Sequence, residues 1–216
     1  MSKKKIAIQG ELGAYSHIAA ENLYKDSEIK TCTTFEETFK QAYNDPSYKI
    51  VIPIENSLAG RVADIHYLLP KYKLQIHGEH FQAVEHNLLC KPDATINDIK
   101  FVRSHAQAIG QCQNLITKKK FKPIISADTA GSAKDLAEGK DKTIAAIASE
   151  LSAKIYNLKI LEKNIEDEKG NVTRFLIMGK NIEQPEFKKE KKFITSCIFR
   201  VKSEPSALYK CLGGFA

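Results

Sequence analysis

The strongest constraint on the fold of this chain is a regular alternation of short apolar segments with amphipathic ones. Residues 5–8, 50–54, 101–103, 123–126, 143–148 and 173–178 read as strands. Between them, residues 14–24, 35–43, 61–69, 105–117, 129–138 and 149–156 carry helical period. The run 50–54 is nearly all apolar, as suits a strand buried on both faces. Strands alternating with helices of this length predict an α/β fold with largely parallel sheets covered on both faces.

Residues 74–90 interrupt the alternation with one long extended stretch, which predicts a crossover between two lobes. If the last strand, 173–178, returns to the first lobe, the chain crosses twice. A hinge and a cleft follow, with about residues 1–76 plus 170–180 on one side and 77–169 on the other. Small-molecule sites favour such clefts. Residues 181–192, NIEQPEFKKEKK, are charged, hold a proline and lack apolar period, so they read as a linker. Beyond them, 193–201 predicts a strand and 205–215 a helix. One strand and one helix close no core, so residues 193–216 read as the start of a cut-off module.

Composition narrows the partners. At 43% hydrophobic residues, a chain of 216 can bury a substantial core. No apolar run approaches the ~18 residues of a membrane span. The opening MSKKKIAIQG lacks the longer apolar core and cleavage site of a signal peptide. The net charge of +7 comes from short lysine runs at 3–5, 118–120 and 188–192, without interleaved aromatics, so no nucleic-acid partner is expected. Five cysteines, an odd number without a CxxC pair, predict a reduced, cytoplasmic chain without disulfides or a structural metal.

Four polar clusters fall where strands meet helices or where a strand begins. They are Glu55-Asn56-Ser57, Ser104 with Gln111 two helical turns on, Asp128-Thr129-Ala130-Gly131-Ser132, and Thr173-Arg174-Phe175. Ligands of open α/β sheets bind beyond the carboxyl ends of strands, where helix starts offer free N–H groups. The same residue types are ordinary helix caps, and Ser104 and Asp128 fit that plain role best. Strand alternation sends Thr173 and Phe175 to one face and Arg174 to the other. His77, His80 and His86 lie close in sequence but lack further ligands for zinc, so surface or hydrogen-bonded histidines are expected. Cys112 reads as a buried thiol. Gly10-Glu-Leu-Gly13 lacks the spacing of a nucleotide loop.

Several stretches together resemble the prephenate dehydratase family: IAIQGELGAYS at the start, VIPIENSLAG, VRSHAQAIGQC, Tyr156-Asn-Leu-Lys-Ile-Leu161, Asp167, and Thr173-Arg-Phe-Leu. The resemblance covers nearly everything to about Lys180. It implies a two-lobed, periplasmic-binding-protein-like α/β catalytic domain with a cleft between the lobes. It also implies loss of carbon dioxide and hydroxide from prephenate to give phenylpyruvate, a step in phenylalanine biosynthesis. Aromatisation drives that reaction, so no cofactor is implied. By resemblance, Thr173 is the catalytic residue and hydrogen-bonds the leaving hydroxyl. Asn56, Ser57, Ser104, Gln111, Thr129, Arg174 and Phe175 are the expected substrate-binding set, with Phe175 walling the ring. Glu55 is left without a role, as a partner for Arg174 or Arg61 or as an acid.

The tail, from Thr195 through Pro205-Ser206-Ala207-Leu208, resembles the opening of an α+β ACT regulatory domain, where the family usually has Pro-Gly-Ala-Leu. Phenylalanine is implied as an effector only for a complete ACT domain, and a homodimer is implied as the assembly. Arogenate dehydratase, with an amine in place of the keto group, is the alternative within the same chemistry. A non-catalytic two-lobed ligand-binding module is the alternative outside it.

Overall fold

The computed structural model describes residues 3–181 and 186–215. The chain divides into two compact units, Met1–Ile182 and Glu183–Ala216. Residues 182–185 of the expected linker and Ala216 of the expected tail lie outside the described residues.

In the first unit the elements run β1 (Lys5–Gln9), α1 (Tyr15–Leu23), β2 (Glu28–Cys32), α2 (Phe35–Asn44), β3 (Tyr48–Asn56), β4 (Gly60–Arg61), α3 (Ala63–Tyr72) and β5 (Gln75–Ala83). They continue with β6 (Asn87–Cys90), β7 (Phe101–His105), α4 (Ala106–Gly110), α5 (Gln113–Lys119), β8 (Lys122–Ser126), α6 (Thr129–Glu138), β9 (Ile144–Ala148), α7 (Glu150–Ile155), β10 (Lys159–Glu162) and β11 (Val172–Gly179). Two sheets result, one per lobe. The first has the order β2-β1-β3-β11-β5, with β4 paired to β3, and the second β10-β6-β9-β7-β8.

Both sheets are mixed, where the alternation predicted largely parallel ones. β1 lies parallel to β2 and β3, but β11 runs antiparallel to β3 and β5. In the second sheet β7 is parallel to β8 and β9, while β6 and β10 add antiparallel pairings. The reason is the crossing itself. A strand that re-enters a lobe from its neighbour arrives from the opposite end and must run against the strand it joins.

The extended stretch 74–90 is two strands rather than one. All of β5, from Gln75 to Ala83, pairs with β11 in the first sheet. The chain therefore leaves the first lobe at residues 84–86, not near residue 76. It returns alongside: Val84 N donates to Asn171 O at 2.8 Å, so the two crossings are hydrogen-bonded neighbours.

Alternation along β11 divides the first lobe into two cores. Leu176 and Met178 join Ile50, Ile52, Phe39 and Leu68 on the side of α2 and α3. Phe175 and Ile177 join Ile6, Ile8, Val51 and Ala20 on the side of α1. The second sheet is packed on both faces in the same way, around Val102, Ile109 and Ile147 on one side and Leu89, Ala133 and Ala146 on the other.

Two helix expectations change. α3 does not stop at Pro70 but runs on to Tyr72; a proline in the last turn removes only one ladder bond and leaves little helix to break. The predicted helix 105–117 is split into α4 and α5 at Gln111 and Cys112. A loop from later in the chain supplies the cap: both Asp167 carboxylate oxygens accept from the α5 amides, Gln113 N at 2.8 Å and Asn114 N at 3.0 Å. Asp167 N in turn donates to Gln111 O at 2.7 Å.

In the second unit, residues 193–201 form no strand, and one helix, α8 (Ala207–Gly213), is present. A strand needs a partner for its ladder, and residues 186–215 hold no second strand to provide one. Ser206, at the position where the resembling family has glycine, adopts a left-handed conformation with φ 61°, a region glycine enters at lower cost.

Candidate active site at the lobe crossings

The loop Gly10-Glu-Leu-Gly13, between β1 and α1, seats one lobe on the other. Gly13 O accepts from Ser149 Oγ at 2.6 Å and Ser152 Oγ at 3.1 Å, both at the start of α7. Gly13 has φ +91°, and a Cβ there would stand 2.5 Å from Ser152 Oγ, so only glycine fits. Its amide donates to His17 Nδ1 at 2.9 Å. Tyr156 Oη donates to Leu12 O at 2.9 Å, and Lys134 pairs with Glu11 at 3.2 Å.

Where the crossings meet, side chains from both lobes form a continuous hydrogen-bonded chain. Asn56, at the end of β3, is oriented by its own turn: Oδ1 accepts from Leu58 N at 3.0 Å and Ala59 N at 2.9 Å. Its Nδ2 then faces outward and donates to Thr173 Oγ1 at 2.9 Å and to Asn171 Oδ1 at 2.6 Å. Asn171 Nδ2 donates to Gln111 Oε1 at 3.0 Å. Gln111 Oε1 also lies 2.9 Å from His86 Nε2. His86 Nδ1 is 3.2 Å from Tyr15 Oη, which reaches Glu85 O at 2.6 Å.

Burial sets the protonation of this chain. It lowers the pKa of His86, against the opposing pull of its Gln111 bond and of Glu166. It raises the Tyr15 hydroxyl well above its usual range, with Glu166, Cys112 and Glu85 adding to the effect. Cys112, just behind Gln111, is pushed up to about 12 by burial and then by the Asp167 and Glu166 carboxylates. It is a buried thiol with no nucleophilic character at neutral pH.

Beside Gln111 opens a cavity of about 400 Å³, lined by Leu58, Ala59, Gln107, Gly110, Gln111, Asp167 and Glu168. No lysine or arginine is among these lining residues. A second hollow of about 550 Å³ lies wholly within the first lobe, near the start of α2. The amide at its mouth is already taken, since Thr34 Oγ1 caps Glu37 N. Among the described residues no group of three or more His, Cys, Asp or Glu side chains is placed to hold a metal.

Of the sequence-predicted residues, Asn56, Gln111 and Thr173 are brought together. Ser57 lies beside them as a clamp: its Oγ accepts from Val172 N at 2.9 Å, and its amide donates to Val172 O at 2.9 Å. Ser104 is fully buried and its hydroxyl donates to Ile147 O at 2.7 Å, tying β7 to β9. It neither lines the cavity nor caps α4, a position held by His105. Thr129 opens α6 under the Asp128 cap, and no hydrogen bond joins it to the network. Phe175 is 2% exposed within the α1-side core, so it has no surface left to wall a ligand. Arg174, on the opposite face from Thr173, is engaged by Glu79 of β5, at 2.8 Å from Nε and 2.6 Å from Nη2. Glu55 is exposed and takes no part.

Sequence reasoning missed Asn171 and Tyr15, and placed His86 only among surface or hydrogen-bonded histidines, the second of which it is. Asn171 lies two residues before Thr173, and His86 two residues before the apolar Leu88–Leu89 pair. Only those positions hinted at burial. Each becomes a site residue because the two crossings lie side by side.

Fold and site together define a two-lobed α/β domain with a cavity, reached by the amide network through Gln111, at the point where the chain passes between lobes. Residues 6–183 match the family model of prephenate dehydratase, and the chain belongs to that family. It is 40% identical to the bifunctional N-acyl-homoserine lactone acylase/prephenate dehydratase of Komagataeibacter europaeus, over 98% of this chain and 75% of that protein. It is also 40% identical to arogenate dehydratase/prephenate dehydratase 2, chloroplastic, of Arabidopsis thaliana, over the whole chain but only 56% of that protein's length. The fold is that of a solved prephenate dehydratase from Arthrobacter aurescens, with a TM-score of 0.84 over 98% of this chain and 71% of that one, at 23% identity.

Proposed function

We propose that this chain catalyses the decarboxylating dehydration of prephenate to phenylpyruvate. The observation that carries the reading is the state of the Thr173 hydroxyl. Its oxygen already accepts from Asn56 Nδ2, so its own proton is free for a further acceptor. A hydroxyl held in that way is a fixed donor for a leaving oxygen.

In the reaction the bond from the ring to the departing carboxylate breaks, and its electron pair enters the ring. The ring's C–O bond breaks with its own pair, and one proton converts the leaving hydroxide to water. Carbon dioxide, water and phenylpyruvate account for every atom. Thr173 stabilises the leaving oxygen through its hydrogen bond. It is far too weak an acid to be the ultimate proton source, which is water. Gln111 presents its amide nitrogen to a substrate carboxylate. A neutral donor suits the departing carboxylate, since a guanidinium there would stabilise the ground state more than the charge-dispersed transition state.

One feature favours arogenate as a second substrate. Asp167 and Glu168 are among the lining residues, and an ammonium in place of the keto group would be drawn by their negative charge. The deciding experiment is turnover of both compounds by the purified protein, followed as phenylpyruvate and phenylalanine. Absence of turnover for both would refute the enzymatic reading and leave a ligand-binding module.

A further inference from the structure

Gln111 Oε1 has two neighbours within hydrogen-bond distance, and each comes from one of the crossings: His86 Nε2 at 2.9 Å and Asn171 Nδ2 at 3.0 Å. His86 is 2% exposed and Asn171 3%. Neither is placed on the substrate by the reading above.

We propose that His86 and Asn171 are positioning residues that lock the Gln111 amide with its nitrogen towards the cavity, so that it offers donors, and not an acceptor, to a substrate carboxylate. The inference rests on the reading of this cavity as the reaction site.

The lock is set from its far end by backbone. Leu58 N and Ala59 N can only donate, so they fix the Asn56 oxygen inward and its nitrogen outward. The Asn56 nitrogen fixes the Asn171 oxygen, and the Asn171 nitrogen then requires the oxygen of Gln111. At the near end, burial favours neutral His86, with one N–H. Donation to Gln111 places that proton on Nε2 and leaves Nδ1 as an acceptor, 3.2 Å from a Tyr15 hydroxyl whose one proton points mainly to Glu85 O at 2.6 Å. A reversed Gln111 amide would set donor against donor at the Asn171 contact, which buried groups do not tolerate, and would find an acceptor at His86 only if the ring proton moved to Nδ1. A glutamine free to turn would present its oxygen to a carboxylate part of the time. A fixed one needs no reorganisation when the anion arrives.

The role is distinct from acid–base catalysis. The groups facing His86 are the Tyr15 hydroxyl on α1, the Gln111 amide, and Glu166 on the loop before β11, which accepts from the His86 amide at 3.0 Å; Glu85 and Cys112 act on Tyr15. The Nε2 proton is present on neutral and on charged imidazole alike, so the bond to Gln111 survives titration of the ring.

Two measurements test this. In protein labelled with ¹⁵N-histidine, the imidazole shifts of His86 near pH 7.5 should report the Nε2–H tautomer. An Nδ1–H tautomer would overturn the proposal, whether or not the protein turns over prephenate. The second compares His86→Gln, whose side-chain nitrogen reaches the Nε2 position, with His86→Asn, which reaches only the Nδ1 position. The glutamine variant should hold kcat/KM within about 3-fold of the wild type and superimpose on its pH profile from 6 to 9. The asparagine variant should lose about 10-fold, mainly through KM, the scale of one misdirected hydrogen bond. Equal activity of the two, or a pH limb lost in the glutamine variant, would refute the positioning role. If neither variant folds, the tautomer decides the amide's orientation. A wild type inert towards both prephenate and arogenate would instead refute the proposed function.

Discussion

Asn56 Nδ2 donates to Thr173 Oγ1 at 2.9 Å across the β3–β11 pairing, where the two residues stand directly opposite each other. The bond consumes an acceptor site on the threonine and spares its proton. A residue with a hydroxyl and no other chemistry thereby becomes a directed donor.

Thr173→Ala is therefore expected to lower kcat by about 100-fold, the scale of a lost transition-state donor, while Thr173→Ser retains most of the rate. Steady-state turnover of prephenate at saturation measures both. Equal losses for the two substitutions would point to packing of the methyl group rather than donation by the hydroxyl.

Arg174 makes a different kind of contribution. Its guanidinium and Glu79 are each about 30% exposed on the side chain, so the pair stabilises the β5–β11 pairing by about 0.5–1 kcal/mol. Arg174→Ala and Glu79→Ala should each cost stability of that order, with the double variant costing less than their sum. Urea unfolding of the four proteins gives the coupling. Full additivity would mean that the pair contributes nothing.

Phe175→Ala should act on stability before activity. Removal of a ring that is 2% exposed among Ile6, Ile8 and Ile177 is expected to cost about 3–5 kcal/mol. A variant that melts like the wild type yet binds substrate poorly would return Phe175 to the cavity wall.

Acid should loosen the seat between the lobes. His17 Nδ1 accepts from Gly13 N, so this contact needs an unprotonated Nδ1. Burial lowers the His17 pKa, with Glu21 opposing. The folded state thus takes up the proton at lower pH than the unfolded chain. Stability is full above the usual histidine range, near pH 6.5, and is lost as pH falls through it. His17→Asn, which keeps an acceptor at the Nδ1 position without titrating, should flatten the dependence. Denaturant midpoints at pH 7.5 and 5.5 for both proteins check it; identical shifts would assign the acid sensitivity elsewhere.

Much of the site was legible in the sequence for a simple reason. Asn56 and Thr173 sit at ends of apolar strands, and strand ends are where polar groups are both exposed and held. The residues that the structure places away from the network share one cause as well. Binding roles for Ser104, Phe175 and Arg174 follow from the resemblance of short motifs, but a side chain's role depends on what covers it. Ser104 is roofed by β9, Phe175 by α1, and Arg174 meets a carboxylate on a strand far away in sequence.

The sequence by itself determined the alternation of strands and helices, the two lobes and the family, because periodicity and motif are local properties of the chain. The tertiary structure alone decided the direction of β11, the break between α4 and α5, and the membership of the polar network. Each depends on segments far apart in sequence. Asp167 interrupts a helix that its own residues would continue, and residues 84–86 and 171 become neighbours only because the chain crosses between lobes twice at one place. Hydrogen bonds of that kind have no period to read, since each partner is supplied by the fold.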